Sequence, residues 1–189
     1  MTGVSYVVDT DEVLAGLSRL QGRLENASGF YKNVGEHLVN STQDGFVRET
    51  SPEGVPWQKL MPSTIRNRAR KGQTPIQILR ASRRGGLAAS INARASADDV
   101  RIGSPKPYAA IHQLGGTINK PARKAVIQLK RDSKTGEIGN LFVKKSRSNV
   151  VQDVNIPAHT VTIPARPYLG VSSEDQKVII EIADAWLSD

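Results

Sequence analysis

Phe46-Val47-Arg48-Glu49-Thr50-Ser51-Pro52-Glu53-Gly54-Val55-Pro56-Trp57-Gln58-Lys59-Leu60 is the stretch where the chain changes character. Pro52, Gly54 and Pro56 within five residues stop any helix arriving from upstream and require a turn. Phe46 and Trp57 flank that turn, so both rings can fold over one edge of a core. The stretch therefore predicts a helix ending near residue 49, a sharp reversal, and re-entry into the core at Trp57, Leu60 and Met61.

Upstream, residues 30–49 read as a helix with Tyr31, Val34, Leu38, Ser41 and Phe46 along one stripe. Residues 9–26 read as another. Asp9 or Thr10 caps it, Asp11 and Glu12 suit its first turn, and Val13, Leu17, Leu20 and Leu24 recur at helical spacing. Ser28-Gly29 separates the two, which suggests an α-hairpin over residues 1–50 with acidic outer faces.

Downstream, a short helix follows Pro62 and carries Arg66, Arg68, Arg70 and Lys71. Ile76, Ile78 and Leu79 read as buried, and Ser82 to Gly86 as an exposed basic loop that includes Arg83 and Arg84. Leu87 to Ala95 and Val100 to Ile102 read as paired strands around a turn at Ser96 to Asp99. Tyr108 to Leu114 reads as a helix stopped by Gly115-Gly116. Residues 117–158 are rich in Lys, Arg, Ser and Asn, with Lys130 and Arg131 on one side of a turn and Lys144 and Lys145 on the other. They read as an extended β-hairpin arm or a partly disordered loop, and such a segment in a compact domain is usually functional or mobile. His159 to Ile163 reads as a strand with Val161 and Ile163 inward. Ser172 or Ser173 then caps a last helix whose buried face is Val178, Ile179, Ile182, Ala183 and Trp186.

The chain has 189 residues, which suits one domain over 1–189; at 38% apolar and 5% aromatic, its core should be modest. No stretch has the length of apolar sequence that a membrane span needs, so no membrane contact is expected. Met1 to Tyr6 lacks a basic region followed by an apolar run, so a secretory signal is not expected. The absence of cysteine rules out disulfides and thiolate metal sites and fits a reducing compartment.

Charge is segregated. Residues 1–53 carry 4 Lys/Arg against 8 Asp/Glu, residues 54–150 carry 20 against 4, and residues 151–189 carry 2 against 6. A net charge of +8 thus divides into acidic ends and a strongly basic centre. Such a centre suits an acidic neighbour or nucleic acid. In the first case the acidic ends of one subunit meet the basic centre of another. In the second, residues 59–94 and 120–147 contact DNA, with Arg66, Arg68, Arg70, Lys71, Arg83 and Arg84 as leading cations.

No catalytic, cofactor or metal site is expected. His37, His112 and His159 are not in metal-ligand spacing. His112 with Gln113 reads as a structural pair that hydrogen-bonds backbone around Gly115-Gly116, because Ser104 and Asp99 lack the context of a catalytic triad. Gly85-Gly86 and Gly115-Gly116 match no phosphate-loop pattern.

Four ordered motifs carry a resemblance. They are Phe46-x-x-Glu49-x-x-Pro52-x-Gly54-x-x-Trp57-x-x-Leu60 followed by Thr64; Ile78-Leu79 leading to Leu87, Ser90 and Ile91; Val100 to Ser104 leading to Tyr108-Ala109-Ala110-Ile111-His112-Gln113-Leu114-Gly115-Gly116; and Ile163-Pro164-Ala165-Arg166-Pro167-Tyr168-Leu169-Gly170. In this order the chain resembles the phage virion-morphogenesis family, the tail-completion proteins of Mu-like and other contractile-tailed phages. The Ser82 to Gly86 step is longer than the family's, and 117–158 carries none of its motifs.

The resemblance implies an α+β fold: the helical hairpin and C-terminal helix packed on a small antiparallel β-sheet, with the extended hairpin as an arm. It implies a non-enzymatic structural role in tail completion or head–tail joining, in the virion and, during assembly, in the host cytoplasm. Implied partners are further copies in a ring such as a hexamer, and tail-tube or head-connector proteins; DNA contact is compatible with both. Phe46, Pro52, Gly54, Trp57, Tyr108, His112, Gln113, Gly115, Gly116, Arg166 and Pro167 become scaffold residues, with Pro167 holding Arg166 extended and Arg166 available to pair with a carboxylate.

Overall fold

The computed structural model describes residues 11–81, 86–139 and 142–188. Helices and small antiparallel sheets give an α+β fold. The chain divides into two compact units, a helical unit (residues 11–114 and 164–188) and a unit spanning Gly115–Ile163.

The helical unit is organised by α2 (Ser28–Arg48), which buries Val34, Gly35, Leu38, Thr42, Gly45 and Phe46. One side of α2 lies on the hairpin of β1 (Asn92–Ala95) and β2 (Val100–Gly103), and another on the last helix, α5 (Ser173–Ser188). Gly35 permits the approach to the hairpin, because a Cβ there would sit 2.9 Å from Ala93 Cβ and 3.0 Å from Val100 Cγ2. α2 ends at Glu49 in a left-handed conformation (φ 59°), unusual for a side chain with a Cβ. The Glu49 side chain accounts for it: Oε1 accepts the Ile78 amide at 2.6 Å, while Glu49 O accepts the Trp57 amide at 2.9 Å. The turn is thus closed from both ends.

Around it lies the core of Phe46, Trp57, Ile78, Leu79, Leu87, Ile91, Ala109 and Tyr168. Phe46 is 1% exposed and meets Trp57 edge-on at 5.5 Å and Tyr168 at 5.3 Å. The expected pairing of Phe46 with Trp57 is therefore present, with Tyr168 as a third ring. Burying aromatic side chains of this size contributes about 1.5–3 kcal/mol each.

Several local expectations shift. Met61 is exposed and Ile76 half-buried, whereas Ile78 and Leu79 are buried. α3 (Pro62–Arg70) forms after Pro62 as expected. Leu87 to Ser90 is not strand: Leu87 is buried and Ala88–Ser90 make a 3-10 turn, since a fully buried Leu followed by two small residues packs better as a turn than as an edge strand. Ser96 Oγ, accepting from the amides of Asp98 and Asp99, holds the hairpin turn. α4 (Ala109–Leu114) stops at Gly115, whose φ of 72° suits glycine. Before α5, Ser172 and Asp175 form a reciprocal cap: Ser172 Oγ accepts the Asp175 amide and Asp175 Oδ2 accepts the Ser172 amide.

α1 (Asp11–Glu25) forms where its stripe predicted, but it buries no residue. Val13, Leu17, Leu20 and Leu24 are all exposed, so the stripe does not fold back onto α2. The capping positions Asp9 and Thr10 lie outside the described residues, as do Arg83 and Arg84.

The second unit is a two-stranded ribbon in two segments. β3 (Gly116–Lys120) pairs with β6 (His159–Ile163), and β4 (Arg123–Leu129) pairs with β5 (Val150–Ile156), both antiparallel. The segments meet where Pro121-Ala122 on one strand stands opposite Pro157-Ala158 on the other. Neither proline donates a backbone hydrogen bond, so the ladder breaks on both strands at one level. β3 starts directly at Gly116, so the ribbon begins earlier than position 117. Val161 is not inward but 37% exposed, because a two-stranded ribbon has no second layer to cover it.

Candidate assembly interface

The scaffold motifs converge on the segment leading into α5. Gln113 Oε1 accepts the amides of Tyr168 and Leu169, and its Nε2 donates to Leu169 O at 2.9 Å. Arg166 N donates to His112 O at 2.8 Å, Trp57 Nε1 to Pro167 O at 2.8 Å, and Tyr168 Oη to Ala109 O at 3.1 Å. Gln113 therefore serves this segment rather than the Gly115-Gly116 turn. Arg166 is 6% exposed and pairs with no carboxylate among the described residues; Nε donates to Gln58 O at 3.0 Å and Nη2 to Lys59 O at 3.4 Å. Backbone carbonyls, unlike a carboxylate, are supplied by the very segment after Trp57 that must be held there.

His112 is a packed imidazole. Its Nδ1 is buried without a hydrogen-bond partner among the described residues, and Tyr108 meets the ring edge-on at 6.0 Å. Burial first, then the charges of Arg166 and Arg68, hold it below the ordinary histidine value and favour the neutral ring. The two groups that sequence placed nearest to it chemically are engaged elsewhere: Ser104 Oγ with Ser90 Oγ at 2.7 Å, and Asp99 with Ser96 and Arg101.

A polar cluster absent from the sequence reading joins α2 to α5. His37 Nε2 lies 2.8 Å from Asp175 Oδ1, and Asp175 is 3% exposed. Burial pushes the Asp175 carboxyl up, but hydrogen bonds from Ser172, Ser41 and His37 outweigh it and hold the group below the ordinary carboxylate value. Positions 37 and 175 are 138 residues apart, and only the Ser172-Asp175 cap was visible locally.

The basic residues divide between the two units. Arg66, Arg70 and Lys71 are exposed on or just after α3. Arg68 is not a free cation, since its Nη1 donates to Gln77 O at 2.6 Å and ties α3 to the following loop. Lys130, Arg131, Lys144 and Lys145 are exposed beyond the β4–β5 ladder, where Val143 N bonds to Gln128 O and Asn149 bridges both backbone groups of Arg131. Lys120, Arg123 and Lys124, at the Pro-Ala break, are exposed too; they fall within the 120–147 basic segment but were not singled out one by one. Exposed acidic side chains stand on the first and last helices: Asp11, Glu12 and Glu25 on α1, and Glu174, Glu181 and Asp184 on α5.

Among the described residues, no group of His, Asp and Glu is placed to hold a metal ion, and no helix is long and apolar enough to cross a membrane.

The chain is 33% identical over 123 residues to a protein of Escherichia phage Mu described as "Putative capsid assembly protein G", covering 65% of this chain and 77% of the Mu protein. No solved structure matches it. The model of the phage virion morphogenesis family matches residues 8–188, with the four motifs inside that span. Its role lies in phage virion assembly, and the chain belongs to the phage virion morphogenesis family.

Proposed function

We propose that the protein is a structural component that completes the phage tail or joins it to the head, working as a ring-like homo-oligomer such as a hexamer against tail-tube or head-connector proteins. It acts by surface complementarity and carries out no catalytic step. The observation that carries this reading is charge segregation: a ribbon unit with nine Lys/Arg against three Asp/Glu, and helices α1 and α5 with exposed carboxylates. Complementary surfaces on one chain favour head-to-tail association, which closes into rings when the rotation permits. Electron microscopy of particles made without the protein tests the role. Separate heads and unjoined tails are expected; intact infectious virions overturn it.

A second reading rests on Arg66, Arg70 and Lys71, none of which is ion-paired among the described residues. In this reading they contact DNA backbone without sequence preference. Titration with duplex DNA at rising salt is expected to weaken binding with a log–log slope of about −0.9 per phosphate contacted. No binding at low salt removes this reading.

A further inference from the structure

The helical unit carries an apolar surface that its own fold leaves open. Val13, Leu17, Leu20 and Leu24 on α1 are 60%, 57%, 39% and 66% exposed, at spacings of four, three and four residues that make a seam rather than scattered positions. At the C-terminal end of α1 this seam runs into a hollow of about 300 Å³ lined by Leu24, Phe30, Tyr31, Ala183, Trp186 and Leu187. Arg23 Nη1 donates to Trp186 O at 2.6 Å, which fixes α1 to α5 at that point. Ile180 continues the open surface along α5 at 61% exposure. Carboxylates frame it: Asp11, Glu12 and Glu25 on α1, Asp98 at the hollow, Glu181 and Asp184 on α5.

The ribbon is its chemical complement. Val126 and Val151, 57% and 64% exposed, are diagonal neighbours on one face, which they share with Lys124 and, opposite Val126, with Asp153 as its one acid. Val161 shares a face with Lys120 on the other segment. Leu129 alone is buried among the unit's described residues, and two-stranded ribbons are marginal in water without a surface to lie on.

We infer that the α1–α5 surface is the docking site for the β-ribbon of a second copy of this chain. This rests on the self-assembly reading above and names its contact. Pairing helix surface with helix surface would set carboxylate against carboxylate, and ribbon with ribbon cation against cation. Ribbon on helices matches apolar to apolar and opposite charge to opposite charge. Large open apolar surface rimmed by charge is the usual mark of such contacts.

Light scattering on the full chain, across protein and salt concentration, tests this. The wild-type chain should show a multi-subunit mass that falls as salt rises. Leu17→Asp with Leu20→Asp should give a single-chain mass with unchanged circular dichroism and melting, because both side chains are already exposed. Lys120→Glu with Lys124→Glu should weaken association about tenfold or more, as should Glu181→Arg with Asp184→Arg. Combining the two pairs should restore most of it. Wild-type mass in the Leu17/Leu20 variant overturns the docking site while leaving self-assembly standing. Failure of the combined charge reversal to restore association, after each pair alone weakens it, overturns the ribbon as occupant. A wild-type chain that stays single at every concentration overturns both the contact and the self-assembly reading.

Discussion

The two units solve the problem of order differently. The helical unit has an aromatic core, with Phe46 against both Trp57 and Tyr168 and the entry to α5 tied down by Gln113, Trp57 and Arg166. The ribbon unit has paired strands, a proline break on both of them, and Leu129 as its buried residue among those described. One holds its shape by packing. The other holds it by ladder hydrogen bonds, whose net contribution is modest when water competes at both edges. The contrast teaches that the two units will answer differently to the same kind of substitution.

The largest expected effect breaks the core side of this comparison. Phe46→Ala should cost about 3–5 kcal/mol in chemical denaturation. Hydrogen exchange should show α2 amides losing protection while β4–β5 amides change little; parallel loss in both would end the distinction between the units. Arg166→Ala is next. It leaves the carbonyls of Gln58 and Lys59 without their donor, at a cost of about 2–3 kcal/mol, and Arg166→Lys should recover only part of that.

Asp175 sharpens the comparison by pH. Its carboxyl sits below the ordinary value in the folded chain, so the stability it contributes is present above the unfolded value and lost as pH falls through the folded one. Asp175→Asn should cost about 1–2 kcal/mol near neutral pH through the lost cap and flatten the acid side of the melting profile. An acid limb as steep as wild type would assign that pH dependence to other groups. Arg131→Ala on the ribbon should move stability by about 0.5 kcal/mol or less, measured on the isolated chain, because its side chain is exposed.

Much of the helical unit was legible because its signals are local. A Pro/Gly turn between two aromatics, a stripe at helical spacing and a Ser-x-x-Asp cap each act within a few residues. The ribbon's existence was legible from composition, but its division was not read from Pro121 and Pro157, which become opposite only through strand register. Among proposed interface residues, Lys130, Arg131, Lys144 and Lys145 are exposed. Arg68 is occupied by Gln77 O, a contact that exposure patterns cannot reveal. The stripe of α1 was read correctly as a stripe and placed against α2, since periodicity tells which residues share a face but not what covers it.

By itself, the sequence determined the order of elements, the turn at Pro52 to Pro56, the segregation of charge and the family. Each depends on residue types and short spacings that act before any tertiary contact exists. Tertiary structure alone decided that Arg166 holds two carbonyls, that His37 meets Asp175 across 138 residues, and that α1 keeps its leucines open. Those outcomes depend on which surfaces are already covered when the chain closes, and that competition among distant segments leaves no mark at any single position.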